Sequence, residues 1–297
     1  MKNVKLKASL VLVVFLFSFY PVKAVDLIIN KDTGYGNATD PYYKYQAYIG
    51  QSSVNDVWYK YTGKGIVVAV LDSGVDLNHQ DLKNSLWRNY KEMLNNKVDD
   101  DKNGYVDDYY GYDFVANNSN LSPYDSHGTM VSGIIAAQRN NDVGIAGIAS
   151  DAKIMPLIVC SDSGCPTKAV IKGIRYAVDN GANIINMSLG GQGSLGYNPE
   201  YDDAIKYAYD HNVLVIVSAG NGDTDGAGVR GQDLTAIKAS PVCNEDNINM
   251  IIGVGALSGD GQPTYWTNYS QQYVDVSALG EDMFSSSVPL YTKNNYS

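Results

Sequence analysis

The chain has 297 residues, 44% of them hydrophobic, and a formal net charge of -10 at pH 7. This length is enough for one large domain with a substantial core. The acidic balance offers no basic surface of the kind that binds nucleic acid, so we expect no nucleic-acid partner.

Residues 1–24 indicate an export signal. Lys2, Lys5 and Lys7 precede the apolar run LVLVVFLFSFY, and a small residue, Ala24, closes the segment. This order is typical of a secretory signal cleaved after Ala24, whereas the alternative, a retained transmembrane anchor, needs about 18 or more continuous apolar residues. We therefore predict a secreted protein, extracellular or in the cell envelope, with no membrane partner once the signal is removed.

Short apolar runs rich in Val and Ile recur along the chain and predict strands buried on both faces of a sheet. The runs are residues 66–71, 154–159, 183–189, 213–219 and 250–256. Helical patterns lie between them, one over residues 170–178 and one that begins at Asn198 and Pro199. Alternating strands and helices predict an α/β fold of three layers, with a mostly parallel sheet and helices on both faces.

Polar residues stand where these elements begin or end. Asp72 directly follows the first run, Asn221 follows the fourth, and His127 begins a predicted helix of small and apolar residues. Ligands gather at the carboxyl ends of parallel strands, so we expect these three side chains to converge. Of the other histidines, His79 is interpreted as a structural hydrogen-bonding group, and His211 lies at a helix end where a cation is favoured. An isolated histidine at position 127 would also more often be structural, but the HGT context and the position of His127 favour it as the candidate base.

The segments around these residues resemble those of a known family. LDSGVDLNHQDL at Asp72, HGTMVSG at His127 and SAGN at Asn221 resemble the aspartate, histidine and oxyanion-hole motifs of the subtilisin-like serine proteases, the subtilases. The order Asp then His is also that of the family, and the resemblance covers about residues 40–297. It implies a subtilisin-like fold and a serine endopeptidase that acts on polypeptides.

The resemblance also implies roles. His127 would take the proton from a serine nucleophile, Asp72 would hold the His127 ring, and Asn221 would donate to the developing oxyanion. The residues that would line the substrate cleft are Ser188, Leu189, Gly190, Ala219 and Gly220.

The same resemblance suggests how the chain is divided. We expect a signal peptide over residues 1–24, a short lead-in over 25–44 and a catalytic domain over 45–297 that is incomplete at its C-terminus, and we expect the protein to be a monomer. The lead-in is too short for the inhibitory propeptide that subtilases commonly carry, so we expect none of the usual kind.

The nucleophile is the missing part. The family places its serine in Gly-Thr-Ser at the start of a small-residue helix, and no such tripeptide occurs in residues 1–297. Ser285, Ser286, Ser287 and Ser297 lack the flanking glycine and threonine, so we expect a C-terminally incomplete chain without activity. The alternative is a secreted, non-catalytic protein that keeps the cleft to bind peptides or to adhere. A nucleotide-binding protein is disfavoured, because the turn after the first strand carries a carboxylate where a phosphate would bind.

An acidic segment, DDDKNGYVDD, separates the aspartate and histidine motifs. Its spacing is that of a calcium loop, with oxygen ligands at the first, third and fifth positions, glycine at the sixth and a carbonyl at the seventh. The corresponding residues are Asp99, Asp101, Asn103, Gly104 and Tyr105. We therefore expect structural calcium, with a solvated acidic turn as the alternative.

Two details of the calcium prediction are less direct. The twelfth position of the loop is Tyr110 rather than glutamate, so Asp107 or Asp108 would have to supply the last carboxylate. Asp81 and Asn141 match positions where many subtilases hold a separate calcium, and that second site rests on the resemblance alone.

Cysteine usage is compatible with an oxidising compartment. Cys160 and Cys165 lie in the short segment CSDSGC, where we favour a local disulfide over two free thiols, and Cys243 is left unpaired.

Overall fold

The structure is a computed structural model that describes residues 37–190, 196–224, 229–245 and 248–288. The predicted signal peptide, most of the lead-in and Ser297 lie outside these residues. Within the described ranges, no helix is long and apolar enough to cross a membrane.

The described chain alternates strands with helices. The strands are β1 Val67–Asp72, β2 Tyr112–Asp113, β3 Lys153–Ile158, β4 Ile184–Met187, β5 Leu214–Ser218, β6 Asp223–Thr224, β7 Val229–Arg230, β8 Ile251–Leu257 and β9 Val276–Leu279. The α-helices are α1 Ala47–Gln51, α2 His127–Ala136, α3 Thr167–Asp179 and α4 Asp202–Asp210. Short 3-10 helices span Tyr43–Tyr45, Val54–Asp56 and Pro199–Tyr201.

Seven strands form one sheet in the order β2, β3, β1, β4, β5, β8, β9, and all of its pairings are parallel. Strands β6 and β7 form a separate antiparallel pair. The predicted α/β fold with a mostly parallel sheet is therefore confirmed.

Helices cover both faces of the sheet at its centre. Successive side chains of a strand point to opposite faces, and those of β1 enter two different apolar clusters. Leu71 packs in the cluster that contains Ile174 of α3, whereas Val70 packs in the cluster that contains Ala136 of α2. The three layers predicted from the sequence are thus present around β1.

The two helices predicted from apolar spacing are present. The buried face of α3 includes Val170 and Ile174, as the helical spacing indicated. The second helix begins with a 3-10 turn, where the side chain of Asn198 accepts a hydrogen bond from the Glu200 amide at 3.0 Å, and continues as α4. Asn198 therefore caps this helix as its sequence position predicted.

The strands differ from the prediction in two ways. β1 and β3 are buried on both faces, but β4, β5 and β8 alternate between buried and more exposed positions, and Leu214 of β5 is 41% exposed. Four strands were not predicted. β2, β6 and β7 have only two residues each, and β9 is mostly exposed and lacks a continuous apolar run.

Candidate active site

The carboxyl ends of three adjacent strands bring the candidate segments to one edge of the sheet. Asp72 ends β1, and β1 pairs with β4, which pairs with β5, all in parallel register. Val70 lies opposite Asn186, and Met187 lies opposite Val217, so the residues that follow each strand are level with one another. The segments 188–190 and 219–221 therefore leave the sheet beside Asp72.

His127 lies directly against Asp72. The Nδ1 atom of His127 is 2.8 Å from Oδ1 and 2.9 Å from Oδ2 of Asp72. The Asp72 side chain is 4% exposed, whereas the His127 side chain is 54% exposed. Asp72 is therefore buried in the protein, whereas the ring of His127 is exposed to solvent.

This contact determines the electrostatics of His127. The hydrogen bond to Asp72 raises the pKa of His127 above its usual 6.5, while burial lowers it and the charges of Asp72 and Asp125 raise it further. A carboxylate only accepts hydrogen bonds, so the neutral ring carries its proton on Nδ1 and leaves Nε2 as the proton acceptor. A histidine held in this way is suited to general-base chemistry.

Small residues allow α2 to approach Asp72 so closely. A Cβ atom on Gly128 would lie 2.2 Å from the carbonyl oxygen of Gly74, in the turn that follows Asp72. The next residue, Thr129, is fully buried, and its hydroxyl accepts a hydrogen bond from the Asp76 amide at 3.0 Å. The glycine and threonine after His127 thus join the start of α2 to the end of β1.

Asn221 follows a sharply turned segment. Gly220 has a φ of 87°, which favours glycine, and a Cβ atom there would lie 2.8 Å from Nδ2 of Asn268. Asn268 is 5% exposed, and it donates from its side chain to the Ala219 carbonyl and from its amide to the Gly220 carbonyl, both at 2.9 Å. Asn221 itself is exposed beside this fixed segment.

Asn268 was not recognised from the sequence. It lies in a loop that follows β8, and no motif around it indicates that it contacts the segment before Asn221. A buried asparagine with its hydrogen bonds satisfied is visible only once the chain is folded.

The other predicted cleft residues form the opposite side of the same edge. Ser188, Leu189 and Gly190 follow β4, and the hydroxyl of Ser218 lies 3.4 Å from the Leu189 carbonyl. Gly190 is exposed, and a Cβ atom on it would lie 3.9 Å from the carbonyl oxygen of Ser240. The structure therefore brings 188–190 beside 218–220 and adds Ser240 to the groove.

Three of the four candidate serines lie among the described residues. Ser285 and Ser286 are fully buried, and Ser285 donates to the carbonyl of Met130 in α2 at 2.6 Å. Ser287 is half-buried, and its hydroxyl lies 3.5 Å from the next carbonyl, that of Val288. Ser285 and Ser286 are therefore shielded from solvent.

The acidic loop gathers three carboxylates. Single carboxylate oxygens of Glu92, Asp99 and Asp101 all lie within 4.8 Å of one another. Glu92 is 4% exposed; its Oε1 accepts from the Asp101 amide at 3.0 Å, and its Oε2 has no hydrogen-bond partner among the described residues. Burial raises the pKa of Glu92, as do the nearby charges of Asp108 and Asp101. A buried acceptor without a donor, beside two more carboxylates, fits a divalent cation.

Asp107 and Asp108 lie outside this group of three carboxylates and accept hydrogen bonds from the protein. Asp107 accepts hydrogen bonds from two backbone amides of the preceding turn, both at 2.9 Å. Asp108 is fully buried and accepts from the side chains of Asn89, Asn103 and Tyr176. Glu92, which was not among the ligands expected from the sequence, is a member of the group.

The remaining predicted ligands have other partners. Asn103 turns its side-chain oxygen to the Tyr105 amide at 2.8 Å. Asp81 and Asn141 do lie together, but the Asn141 side chain donates from Nδ2 to Asp81 at 2.8 Å, and its oxygen accepts from the Val143 amide. Asp81 also accepts from the Ile145 amide at 2.9 Å, so both of its carboxylate oxygens have hydrogen-bond donors.

A disulfide lies at the same sheet edge as the catalytic candidates. The structure pairs Cys160 with Cys165 and leaves Cys243 as a buried free thiol. The Cys160 amide donates to the carbonyl of Asp72 at 3.2 Å. The closed loop that follows β3 is therefore attached to the end of β1.

The other two histidines have structural surroundings. His79 is 1% exposed, and its Nδ1 accepts from the Asp81 amide at 3.2 Å. His211 directly follows α4, where its Nδ1 lies 2.8 Å from the carbonyl oxygen of Tyr207.

Comparison with known proteins agrees with this geometry. The sequence profile of the Subtilase family matches residues 63–297. The chain is 34% identical over 234 residues to the "Intracellular serine protease" of Paenibacillus polymyxa, with 77% of this chain and 61% of that protein covered. It is 31% identical over 229 residues to thermitase of Thermoactinomyces vulgaris, with 76% of this chain and 73% of thermitase covered.

A solved structure shows the same fold. A protease from Pseudoalteromonas arctica matches with a TM-score of 0.64 and 28% identity, over 88% of this chain and 78% of that one. The resemblance inferred from the motifs is thus confirmed, although the chain spans only about three fifths of the Paenibacillus relative's length. The chain belongs to the subtilase family of subtilisin-like serine proteases.

Proposed function

We propose that this chain carries the aspartate and histidine of a secreted, subtilisin-type serine endopeptidase that acts on polypeptides. The contact between Asp72 and His127 is the observation that supports the proposal most strongly. A solvent-exposed imidazole held by a buried carboxylate is the arrangement through which a serine nucleophile is activated, and here it lies at the edge of a parallel sheet.

In this reaction Nε2 of His127 accepts the proton of a serine hydroxyl as the serine attacks the peptide carbonyl, and later transfers it to the leaving amine. Asp72 keeps the ring oriented and stabilises the imidazolium through Nδ1. Asn221, placed after Gly220, donates to the oxyanion that forms on the carbonyl. The segments 188–190 and 219–220 receive the extended substrate.

We propose further that residues 1–297 alone do not hydrolyse peptides, because they contain no Gly-Thr-Ser and the described candidate serines are buried or lack its context. Secretion is proposed from residues 1–24, while relatives include a protein named as intracellular. The protein would act as a monomer on polypeptides, without nucleic-acid partners.

The test begins with the coding sequence beyond codon 297. The proposal predicts that Gly-Thr-Ser and a small-residue helix follow in frame, and that the longer product hydrolyses a denatured protein such as casein. The same product with His127→Ala should lose this activity. A stop codon at this point, together with binding of extended peptides by the 297-residue chain, would support the non-catalytic alternative.

We also propose a structural calcium ion at the acidic loop. The uncompensated Oε2 of buried Glu92, within reach of Asp99 and Asp101, supports this ligand set. Bound calcium would supply positive charge where three carboxylates otherwise repel one another. Asp108 would then anchor the loop to α3, because it accepts a hydrogen bond from the Tyr176 hydroxyl at 2.6 Å.

A further inference from the structure

Asp72 and His127 belong to a closed ring of hydrogen bonds, which Ser73 and Asp125 complete. Oδ1 of Asp125 accepts from the Ser73 hydroxyl at 2.5 Å and from the His127 amide at 2.8 Å. The Ser73 amide donates to Oδ1 of Asp72 at 2.7 Å, and Asp72 in turn holds the His127 ring. Asp125 is thus joined both to the segment of Asp72 and to the backbone of His127.

The Ser73 hydroxyl has one proton and lies between two carboxylates. Its oxygen is 2.5 Å from Asp125 and 3.2 Å from Asp72, so the proton is donated to Asp125. The hydroxyl oxygen also accepts from the Gly128 amide at 3.3 Å. Asp125 therefore orients a buried hydroxyl that contacts the first turn of α2.

The position of Asp125 also matters for charge. His127 is the first residue of α2, a ten-residue helix, and the positive end of a helix disfavours a cation there. Asp125 lies two residues before His127 and places a negative charge at that end. Among the described residues, the charged groups that act on His127 are Asp72, at the end of β1, and Asp125.

We propose that Asp125 is a positioning residue for the Asp72–His127 pair: it fixes the pair through the Ser73 hydroxyl and the His127 amide, and its charge stabilises the imidazolium. The inference rests on the proposed function of His127 as the base. It adds a second carboxylate, which acts on the pair through the Ser73 hydroxyl and the His127 amide.

The test is an NMR titration of His127 in the 297-residue chain, which needs no nucleophile. The His127 signal is identified by its absence from the spectrum of His127→Gln. Asp125→Asn keeps a side-chain oxygen as acceptor and removes the charge, so the pKa of His127 should fall. The low-field signal of the Nδ1 proton should also broaden, because a less firmly held proton exchanges faster with water.

The chain offers a matched control. Oδ1 of Asp260 accepts from the Ser258 hydroxyl at 2.5 Å and from the Gln262 amide at 3.2 Å, which is the same local pattern in an exposed loop. Asp260→Asn should leave the His127 titration unchanged. An unchanged His127 pKa and Nδ1 signal in folded Asp125→Asn would overturn the proposal, and so would an equal effect of Asp260→Asn.

A double-mutant cycle tests the route through the hydroxyl. In a Ser73→Ala background, the shift caused by Asp125→Asn should be smaller, because the two side chains act on the pair together. An undiminished shift would contradict the proposed route. If Asp125→Asn does not fold, as judged by the signal of buried His79, Asp125→Ser replaces it with the same expectation, since serine can also accept the helix-end amide.

Asp72→Asn separates this inference from the proposed function. It should lower the pKa of His127 if the pair exists. A drop with Asp72→Asn and none with Asp125→Asn would overturn only the role of Asp125. No drop with Asp72→Asn would contradict the proposed pair itself.

Discussion

Nδ1 of His127 lies 2.8 Å from Oδ1 and 2.9 Å from Oδ2 of Asp72, although 55 residues separate the two along the chain. Two backbone segments meet to create this contact, the end of β1 and the start of α2. The contact therefore links the fold to the protonation state of one exposed ring.

The stability of the chain should depend on pH through this contact. The pKa of His127 is raised in the folded protein, so the stabilising contribution is complete below its unfolded pKa and is lost as pH rises through the folded pKa. Relative to His127→Gln, the wild type should lose free energy of unfolding as the pH rises from below about 6.5, the ordinary pKa of histidine, through the raised folded pKa. Urea unfolding of both proteins measures this, and a difference that is constant with pH would contradict it.

Because α2 approaches Gly74 closely, adding one methyl group to Gly128 should strongly lower the free energy of unfolding. Gly128→Ala should lower the free energy of unfolding by about 1 to 3 kcal/mol or more, because the new Cβ atom would overlap the Gly74 carbonyl. Gly50→Ala in α1 is the control, since a Cβ atom there meets nothing within 4 Å. Denaturant unfolding should leave Gly50→Ala at or slightly above the wild type, and equal stabilities for the two variants would refute the packing argument.

Calcium should stabilise the protein through Glu92. At a hundredfold excess over the dissociation constant, binding to the folded state adds about 2.7 kcal/mol, or a rise of about 5 to 10 °C in Tm. Glu92→Gln should remove most of this rise, because it replaces the uncompensated Oε2 with a donor. Without calcium the variant should melt no lower than the wild type, because it lacks a buried charge whose pKa burial raises.

Asp107→Asn is the matched comparison for Glu92→Gln. Asp107 lies in the same loop, but it accepts backbone amides instead of joining the carboxylate cluster. Thermal melts with calcium and with a chelator should show that Asp107→Asn keeps the calcium response. Loss of the response in Asp107→Asn and its retention in Glu92→Gln would restore the ligand set expected from the sequence.

The disulfide between Cys160 and Cys165 provides a test of the proposed secretion, because disulfides persist in oxidising compartments. Protein exported to an oxidising compartment should show one thiol after unfolding without reductant, that of Cys243, and three after reduction. Replacing both Cys160 and Cys165 with serine should lower the free energy of unfolding by about 2 kcal/mol, as expected for so short a closed loop. Thiol titration of exported protein that gives three thiols without reductant would contradict the expected compartment.

Much of the fold follows from local sequence. The apolar runs predicted β1, β3, β4, β5 and β8, because strands of a covered parallel sheet are rich in Val and Ile, although β4, β5 and β8 alternate between buried and more exposed positions. β9 pairs with β8 although its residues are mostly exposed, so its position depends on a neighbour and not on its own pattern.

Only some residues of the candidate site could be predicted from local sequence. The sequence segments around Asp72 and His127 could be recognised because each motif also specifies its own packing, as Gly128 shows against Gly74. Glu92 and Asn268 could not be recognised, since their importance comes from contacts with segments that the fold brings to them. The loop spacing predicted Asp99 and Asp101, which lie in the carboxylate cluster, but it could not predict Glu92.

A fluorophosphonate probe, which reacts with activated serines, can detect a nucleophile that His127 activates. We propose that residues 1–297 contain the Asp72–His127 pair without a serine positioned to use it. The purified chain should therefore show no more labelling than His127→Ala. Stoichiometric labelling that His127→Ala abolishes would contradict this proposal, because it would reveal a serine activated by His127 within these residues.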